Sequence, residues 1–375
     1  MYPAVKWCVN RRDTVESSLR KMRKPSFKGE HASQITFTES IGVEEGSSLT
    51  VQEEGVDLGG LFREFSTLFF REVHESSKML GGPEGAKMLS YHAPALVRAS
   101  CTDYKLLGKF VALSLVQGGP GPNFFSEKVY FSVIGGRVFT PEINDIPDAD
   151  VRAVLQQLDE AVTLDEVRTL LLQDQLQVAG LPSYISNLDE KDSLVQQALQ
   201  FHGIVKVQPI LKEFTEGLQL YGILPLMRNN PHLFQGVFCE TKKPLTSQYL
   251  RAKFEVQRSP TGSNKFECES KVLDLYYEFL DDLETGNIFC PDTHKRVTLE
   301  DLLFFATGCD RIPPLGFMHQ PKLLFHHCED LKDCPLPKAN TCVVSLYLPI
   351  KNDTYEVFQK MMVKGTTYTQ GFGIA

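Results

Sequence analysis

The segment Ser259-Pro260-Thr261-Gly262-Ser263-Asn264 breaks a dense succession of apolar stripes into two unequal stretches, residues 1–258 and 265–375. Proline, glycine and small polar side chains in succession support neither helix nor strand, so each stretch has to bury its own apolar surface. A chain of 375 residues also exceeds what one hydrophobic core usually organises. A large lobe and a small lobe joined by a flexible hinge at 259–264 are therefore expected. No segment recurs at a fixed period, which excludes solenoids and arrays. A second cluster, Gly118-Gly119-Pro120-Gly121-Pro122, marks a sharp turn inside the large lobe.

In the large lobe, Leu61, Phe62, Phe65, Leu68, Phe69 and Val73 recur at three- and four-residue intervals. That is the stripe of a helix laying one face on a core, and Asp57 is placed to help start it. Residues 104–116, 148–161, 164–172, 193–199 and 209–218 also read as helices, and 249–256 as a strand-like run. Past the linker, Val272, Leu273, Leu275, Tyr276, Phe279, Leu280 and Leu283 form a stripe ending at Gly286, where a left-handed cap residue is expected. A further helix runs from a Thr298 cap to Gly308, a strand spans 343–348 and stops at Pro349, and a last helix follows the Asp353 to Glu356 capping pattern. The expected fold class is α+β, bilobal, with a mostly α large lobe and a small α/β lobe.

Charge limits the partners. Lysine and arginine total 39 against 47 aspartates and glutamates, a formal net charge of -8, so no global positive field draws the chain to phosphates and nucleic acid is not an expected partner. No run of about 18 apolar residues occurs, and the N-terminal residues lack a signal peptide's apolar core. A soluble, membrane-free protein of the cytoplasm or nucleus is expected. The nine cysteines are unevenly spaced and read as reduced thiols, six of them between Cys268 and Cys342.

That cysteine-rich segment admits two chemistries. His319, His326, His327, Cys328 and Cys334 supply donors for zinc, but two separated knuckles of paired ligands are lacking, so no metal is expected. Cys342 follows Pro337-Lys338-Ala339-Asn340-Thr341 and opens the strand, at the mouth of a loop. Taken alone it is one thiol among nine, and a free cysteine is most often a small buried hydrophobe. Neither a phosphate-cradling glycine loop nor a Gly-x-Ser-x-Gly elbow is present.

Four stretches alter that balance. Glu53-Glu54-Gly55-Val56-Asp57-Leu58-Gly59-Gly60-Leu61-Phe62-Arg63-Glu64-Phe65 resembles the acidic, double-glycine, Arg-Glu-Phe signature of HECT-type ubiquitin ligase domains. Thr307-Gly308-Cys309-Asp310-Arg311-Ile312-Pro313-Pro314-Leu315-Gly316-Phe317, then Leu336-Pro337-Lys338-Ala339-Asn340-Thr341-Cys342, then Gly371-Phe372-Gly373 follow in that family's order. Val9-Asn10-Arg11-Arg12 is similar to its opening segment. The resemblance thus covers nearly the whole chain and leaves no room in it for a substrate-recruiting domain.

The resemblance implies an N-lobe that docks a ubiquitin-conjugating enzyme through roughly 125–205, a hinge, and a C-lobe whose Cys342 accepts ubiquitin as a thioester and passes it to a lysine of a protein substrate. It implies no cofactor. Thr341 is then a supporting residue, contributing a hydroxyl contact or capping the strand, and Phe372 of the C-terminal tail helps order the ligation site. Arg311 positions the loop or the bound ubiquitin tail. Phe124, Phe125, Tyr130 and Phe131 offer apolar anchors for the conjugating enzyme, with core packing as the rival reading. Gly59 and Gly60 permit close packing, and Arg63 with Glu64 reads as a structural ion pair.

Departures from the pattern mark a divergent branch, near the G2/M-phase-specific ligase-like group. Asn340 stands where many members carry histidine, and Val343-Val344 replace an aromatic residue and asparagine. These changes motivate a rival reading, a catalytically weak or inactive scaffold that binds ubiquitin or a conjugating enzyme. A third reading, a cysteine hydrolase, needs an imidazole near the thiol. His326 or His327 would have to fold close to supply it.

Overall fold

The computed structural model describes residues 4–10, 15, 22, 31–42, 48–56, 59–76, 79–90, 102–135, 139–240, 244–327, 336–350 and 354–368. Three strands come first, β1 (Ala4–Asn10), β2 (His31–Gly42) and β3 (Ser48–Val56), with β2 parallel to β1 and antiparallel to β3. The acidic start of the signature, Glu53 to Val56, lies on β3. Helix α1 (Gly60–Glu75) follows. Its N-cap is Gly59 at φ 99°, with no side-chain cap, and Asp57 lies outside the described residues. After the short pair β4 (Leu80–Gly81) and β5 (Met88–Leu89) come α2 (Thr102–Val116) and α3 (Glu127–Ile134).

A compact run of helices is next: α4 (Ala149–Glu160), α5 (Leu164–Leu171), α6 (Asp174–Val178) and α7 (Lys191–Gln200). Helices α4 and α5 start on capping side chains. The Asp148 carboxylate accepts from Asp150 and Val151 N–H, and Thr163 with Glu166 forms a reciprocal capping box. Helices α8 (Gln208–Gly217), α9 (Ile223–Asn229) and α10 (Pro231–Phe238) return to the first unit.

Two cores result from this lobe. Phe65, Phe69, Phe110, Phe125 and Phe214 centre the larger, where the Phe69 and Phe110 rings stack with centroids 3.7 Å apart. Val151, Leu155, Leu158, Val167, Leu171, Leu176, Leu194 and Ala198 close the smaller, helical unit around themselves.

The third core overturns the expected boundary. Residues 249–256 are not a strand: α11 (Ser247–Lys253) starts on the Thr246 hydroxyl, and only β6 (Glu255–Val256) is extended. Leu250 and Phe254 are buried together with Val272, Tyr276, Phe279, Leu323 and Leu346, and β6 pairs in parallel with β7 (Lys322–His326). Residues 259–264 thus connect two elements of one core. Ser259 is tied down as well, its N–H and hydroxyl donating to the Glu269 carboxylate at 2.7 and 2.6 Å. The passage from the large core, which ends at Cys239, to the C-lobe core, which begins with Leu245 packed against it, lies before α11.

In the C-lobe, α12 (Asn264–Thr285) ends at Gly286 with φ 81°, and α13 (Leu299–Thr307) carries a Thr298 to Asp301 capping box and stops at Gly308, as the stripes require. Strands β8 (Lys338–Asn340) and β9 (Ser345–Pro349) complete a sheet of order β6-β7-β9-β8, in which β7 and β9 are parallel and β8 is antiparallel to β9. Helix α14 (Tyr355–Tyr368) joins the same core through Phe358 and Met362, the Phe358 ring meeting Phe279 of α12. The expected α+β, two-lobed class is found. No helix of the described residues is long and apolar enough to cross a membrane.

Candidate active site

Cys342 sits in the four-residue turn that joins β8 to β9, not at the head of a strand as expected. The strand begins only at Ser345, because Val344 adopts φ 55°, a left-handed conformation that costs a β-branched residue energy. Burial offsets that cost. The Val344 side chain is fully enclosed, and its carbonyl accepts from Lys322 N–H at 2.9 Å. The Asn340 side-chain oxygen accepts from Val343 N–H at 3.4 Å, closing the turn from the other side. The result is a half-exposed thiol at the apex of a fixed turn.

Helix α1 of the large lobe packs directly on this turn. A Cβ on Gly60 would lie 2.5 Å from Thr341 Oγ1 and 2.7 Å from Cys342 N, so no other residue allows this approach. The Arg63 guanidinium reaches across the lobes, donating through Nε to Thr307 O at 3.0 Å and through a terminal nitrogen to Thr341 O. Thr67 Oγ1 donates to Gly308 O at 2.9 Å. The sequence reading of Arg63 and Glu64 as a local ion pair missed this bridge. Its signal was an arginine on the buried stripe of a helix that starts with two glycines, since a buried guanidinium needs acceptors that neighbouring apolar positions do not supply. Thr341 itself is buried, and its hydroxyl has no hydrogen-bond partner among the described residues.

Arg311 joins a second interlobe cluster. Asp310 accepts from Arg311 Nε and from Arg71 Nε, each at 2.9 Å, and Arg71 stacks over the Phe304 ring at 4.6 Å. Burial pushes the Asp310 carboxyl up, but Arg311 and Arg71 more than reverse this and hold it below the usual carboxylate range. Phe317, further along the same loop, lies 5.8 Å from the Arg63 guanidinium. Arg311 is thereby engaged in fixing the loop beside the thiol-bearing turn.

The imidazoles are elsewhere. Parallel pairing sets Lys322 beside Ser345 and His326 beside Pro349, which puts His326 about 13 Å along the sheet from the start of β9. His327 instead meets the buried Glu269 carboxylate, Nε2 to Oε1, at 2.7 Å. No contact between either imidazole and Cys342 is found among the described residues, so the hydrolase reading gains no support here. Among the described residues no group of histidine, cysteine or acidic side chains could hold a metal. Cys328, Cys334 and Phe372 lie outside them.

The aromatic anchors need correction. Phe124, Phe125 and Tyr130 are buried in the large core and Phe131 packs on its edge, so their apolar faces serve folding. Exposed apolar side chains of the helical unit include Val162, Leu172, Val178 and Tyr184, the last 62% exposed and lying against Arg168. They escaped notice because isolated apolar residues on polar helices leave no pattern.

Comparison with known proteins agrees with this architecture. A family model described as HECT-domain (ubiquitin-transferase) matches residues 60–375. The G2/M phase-specific E3 ubiquitin-protein ligase of Homo sapiens is 28% identical over 357 residues, covering 94% of this chain and 45% of that protein. Its Gallus gallus counterpart is 30% identical over 361 residues, covering 94% and 44%. E3 ubiquitin-protein ligase UPL2 of Arabidopsis thaliana is 22% identical over 349 residues, covering 86% and 9%. The chain thus spans less than half the length of these relatives.

Proposed function

The chain belongs to the HECT-domain (ubiquitin-transferase) family, and from that membership we propose that Cys342 accepts ubiquitin from a ubiquitin-conjugating enzyme and passes it to a lysine of a protein substrate. The observation that supports this most is the half-exposed thiol at the apex of a fixed turn beside the lobe boundary. In the first step the Cys342 sulfur attacks the donor thioester, a new C–S bond forms as the old one breaks, and the conjugating enzyme's thiolate leaves. Entering and leaving groups are matched, so position counts for more than activation. In the second step a deprotonated lysine amine attacks the same carbonyl and the Cys342 thiolate departs.

The roles we give the remaining residues follow from this scheme. Thr341 fixes the turn through its carbonyl, and Arg311 holds the adjoining loop. Phe372 supports the second step from the tail. Docking of the conjugating enzyme falls to the helical unit around Val178 and Tyr184, within the expected 125–205 region. A second reading, a scaffold without transfer, draws on one observation: α1 covers the inner side of the thiol-bearing turn, so the arrangement described here has to open for transfer.

A single-turnover assay separates the two. Charged conjugating enzymes are mixed with the protein and with Cys342→Ala, and products are resolved with and without reductant. A reductant-sensitive ubiquitin adduct on the wild type alone is expected. A folded protein that binds the charged enzyme yet forms no adduct would leave the scaffold.

A further inference from the structure

A second thiol of the C-lobe stands outside this scheme, in the hairpin between α12 and α13. Val297 N–H donates to Ile288 O at 2.9 Å, Cys290 N–H to Lys295 O at 2.8 Å and His294 N–H to Cys290 O at 2.9 Å, and His294 takes φ 53° to close the loop. This path curls residues 290–294 around the Cys290 sulfur. The Thr293 side chain and the backbone N–H groups of Thr293 and Asp292 lie on the side of the sulfur that favours its anion. Thr367 of α14 reaches it from the other side, Sγ to Oγ1 at 3.8 Å.

Three independent features converge there. Cys290, although only 4% exposed, lines a cavity of about 290 Å³ with Asp292, Lys295, Arg296, Asp301 and Thr366. Thr366 is likewise 4% exposed, and its hydroxyl has no hydrogen-bond partner among the described residues. A buried hydroxyl left without a partner is costly unless something else supplies one. The walls carry both signs of charge, Lys295 and Arg296 against Asp292 and Asp301. Donors aimed at the sulfur favour its anion and lower the Cys290 thiol to about 7, whereas burial pushes Cys239 and Cys309 up to about 12.

We infer that this cavity is a thiol-modification site, where Cys290 exchanges with a zwitterionic low-molecular-weight disulfide of the glutathione class. The Cys290 thiolate attacks one sulfur of the disulfide and a new S–S bond forms. The original S–S bond breaks, and the departing thiolate carries off the electron pair and is protonated by solvent. Lys295 and Arg296 meet the carboxylates of the incoming group, the two aspartates meet its ammonium, and the Thr366 hydroxyl gains its missing partner. This reaction is independent of ubiquitin transfer and uses none of its residues.

The test uses the full chain carrying Cys342→Ser, incubated with glutathione disulfide at neutral pH and read by intact mass and peptide mapping. The exposed Cys268 is the internal reference. Cys290 is expected to gain one glutathionyl group at least about tenfold faster than Cys268, and Cys290→Ser to lose that adduct. Lys295→Gln and Thr366→Val are each expected to slow it about fivefold, while reaction with the uncharged probe dithiodipyridine stays unchanged. A Cys290 no faster than Cys268 would overturn the proposal. So would variants that slow both probes alike, since the thiol would then be reactive without recognising the ligand.

Discussion

Gly60 and Arg63 carry the contact on which the thiol-bearing turn rests. Gly60→Ala pushes a methyl group against the backbone of Thr341 and Cys342, an overpacking that costs about 1–3 kcal/mol when neither side can yield. The lobes can yield by separating. Gly60→Ala is therefore expected to raise the alkylation rate of Cys342 severalfold, read by timed mass spectrometry, with the large core's melting unchanged. Unaltered alkylation would mean that the contact does not shield the turn. Cys342 was legible only because its neighbours matched a family pattern. Arg63 was legible as a residue but not as a bridge, since its acceptors lie 244 and 278 positions away and periodicity reports only local neighbours.

Elements were read well where a stripe had a cap. Helices α4, α5, α12 and α13 follow this rule, each with apolar spacing and a capping side chain, whereas α1 was read from its stripe alone. Residues 249–256 failed because Tyr249, Phe254 and Val256 favour strands by type, while a helix started by the Thr246 hydroxyl buries Leu250, and Phe254 caps that helix in the same core. The aromatic cluster at the start of α3, Phe124, Phe125, Tyr130 and Phe131, failed for the opposite reason: composition cannot tell a core from a contact surface. Phe125→Ala is expected to cost about 3–5 kcal/mol of stability by denaturant titration. Tyr184→Ala, on an exposed face, is expected to leave stability unchanged and to slow loading from the conjugating enzyme about tenfold. A Tyr184→Ala variant that loads normally would move the docking surface elsewhere.

Across the whole molecule, the two lobes meet through charges as well as packing. The Asp310 carboxyl is held below its ordinary range, so its stabilising contribution is full above the unfolded pKa of about 3.9 and is lost as pH falls through the lower, folded value. Thermal unfolding of wild type and Asp310→Asn is expected to differ at neutral pH and to converge below about pH 4. A gap that persists in acid would assign the difference to packing. One core ends at Cys239 and the next begins with Leu245 packed against it, and we propose that the lobes pivot between them. Prolines placed at 241–243 are expected to slow transfer with both lobes folded, and prolines at 261–262 to leave it unaffected. The reverse result would restore the linker at 259–264.

The bridge made by Arg63 also sets a timetable for synthesis. Every residue of the large core has been made by Cys239, yet the Thr307 and Thr341 carbonyls that cover Arg63 come much later in the chain. At roughly 5–20 residues per second, a ribosome needs on the order of 5–20 s to travel from Cys239 to Thr341. During that interval the nascent large lobe presents a naked face of α1, a stretch open to chaperones that closes only when the final strands emerge.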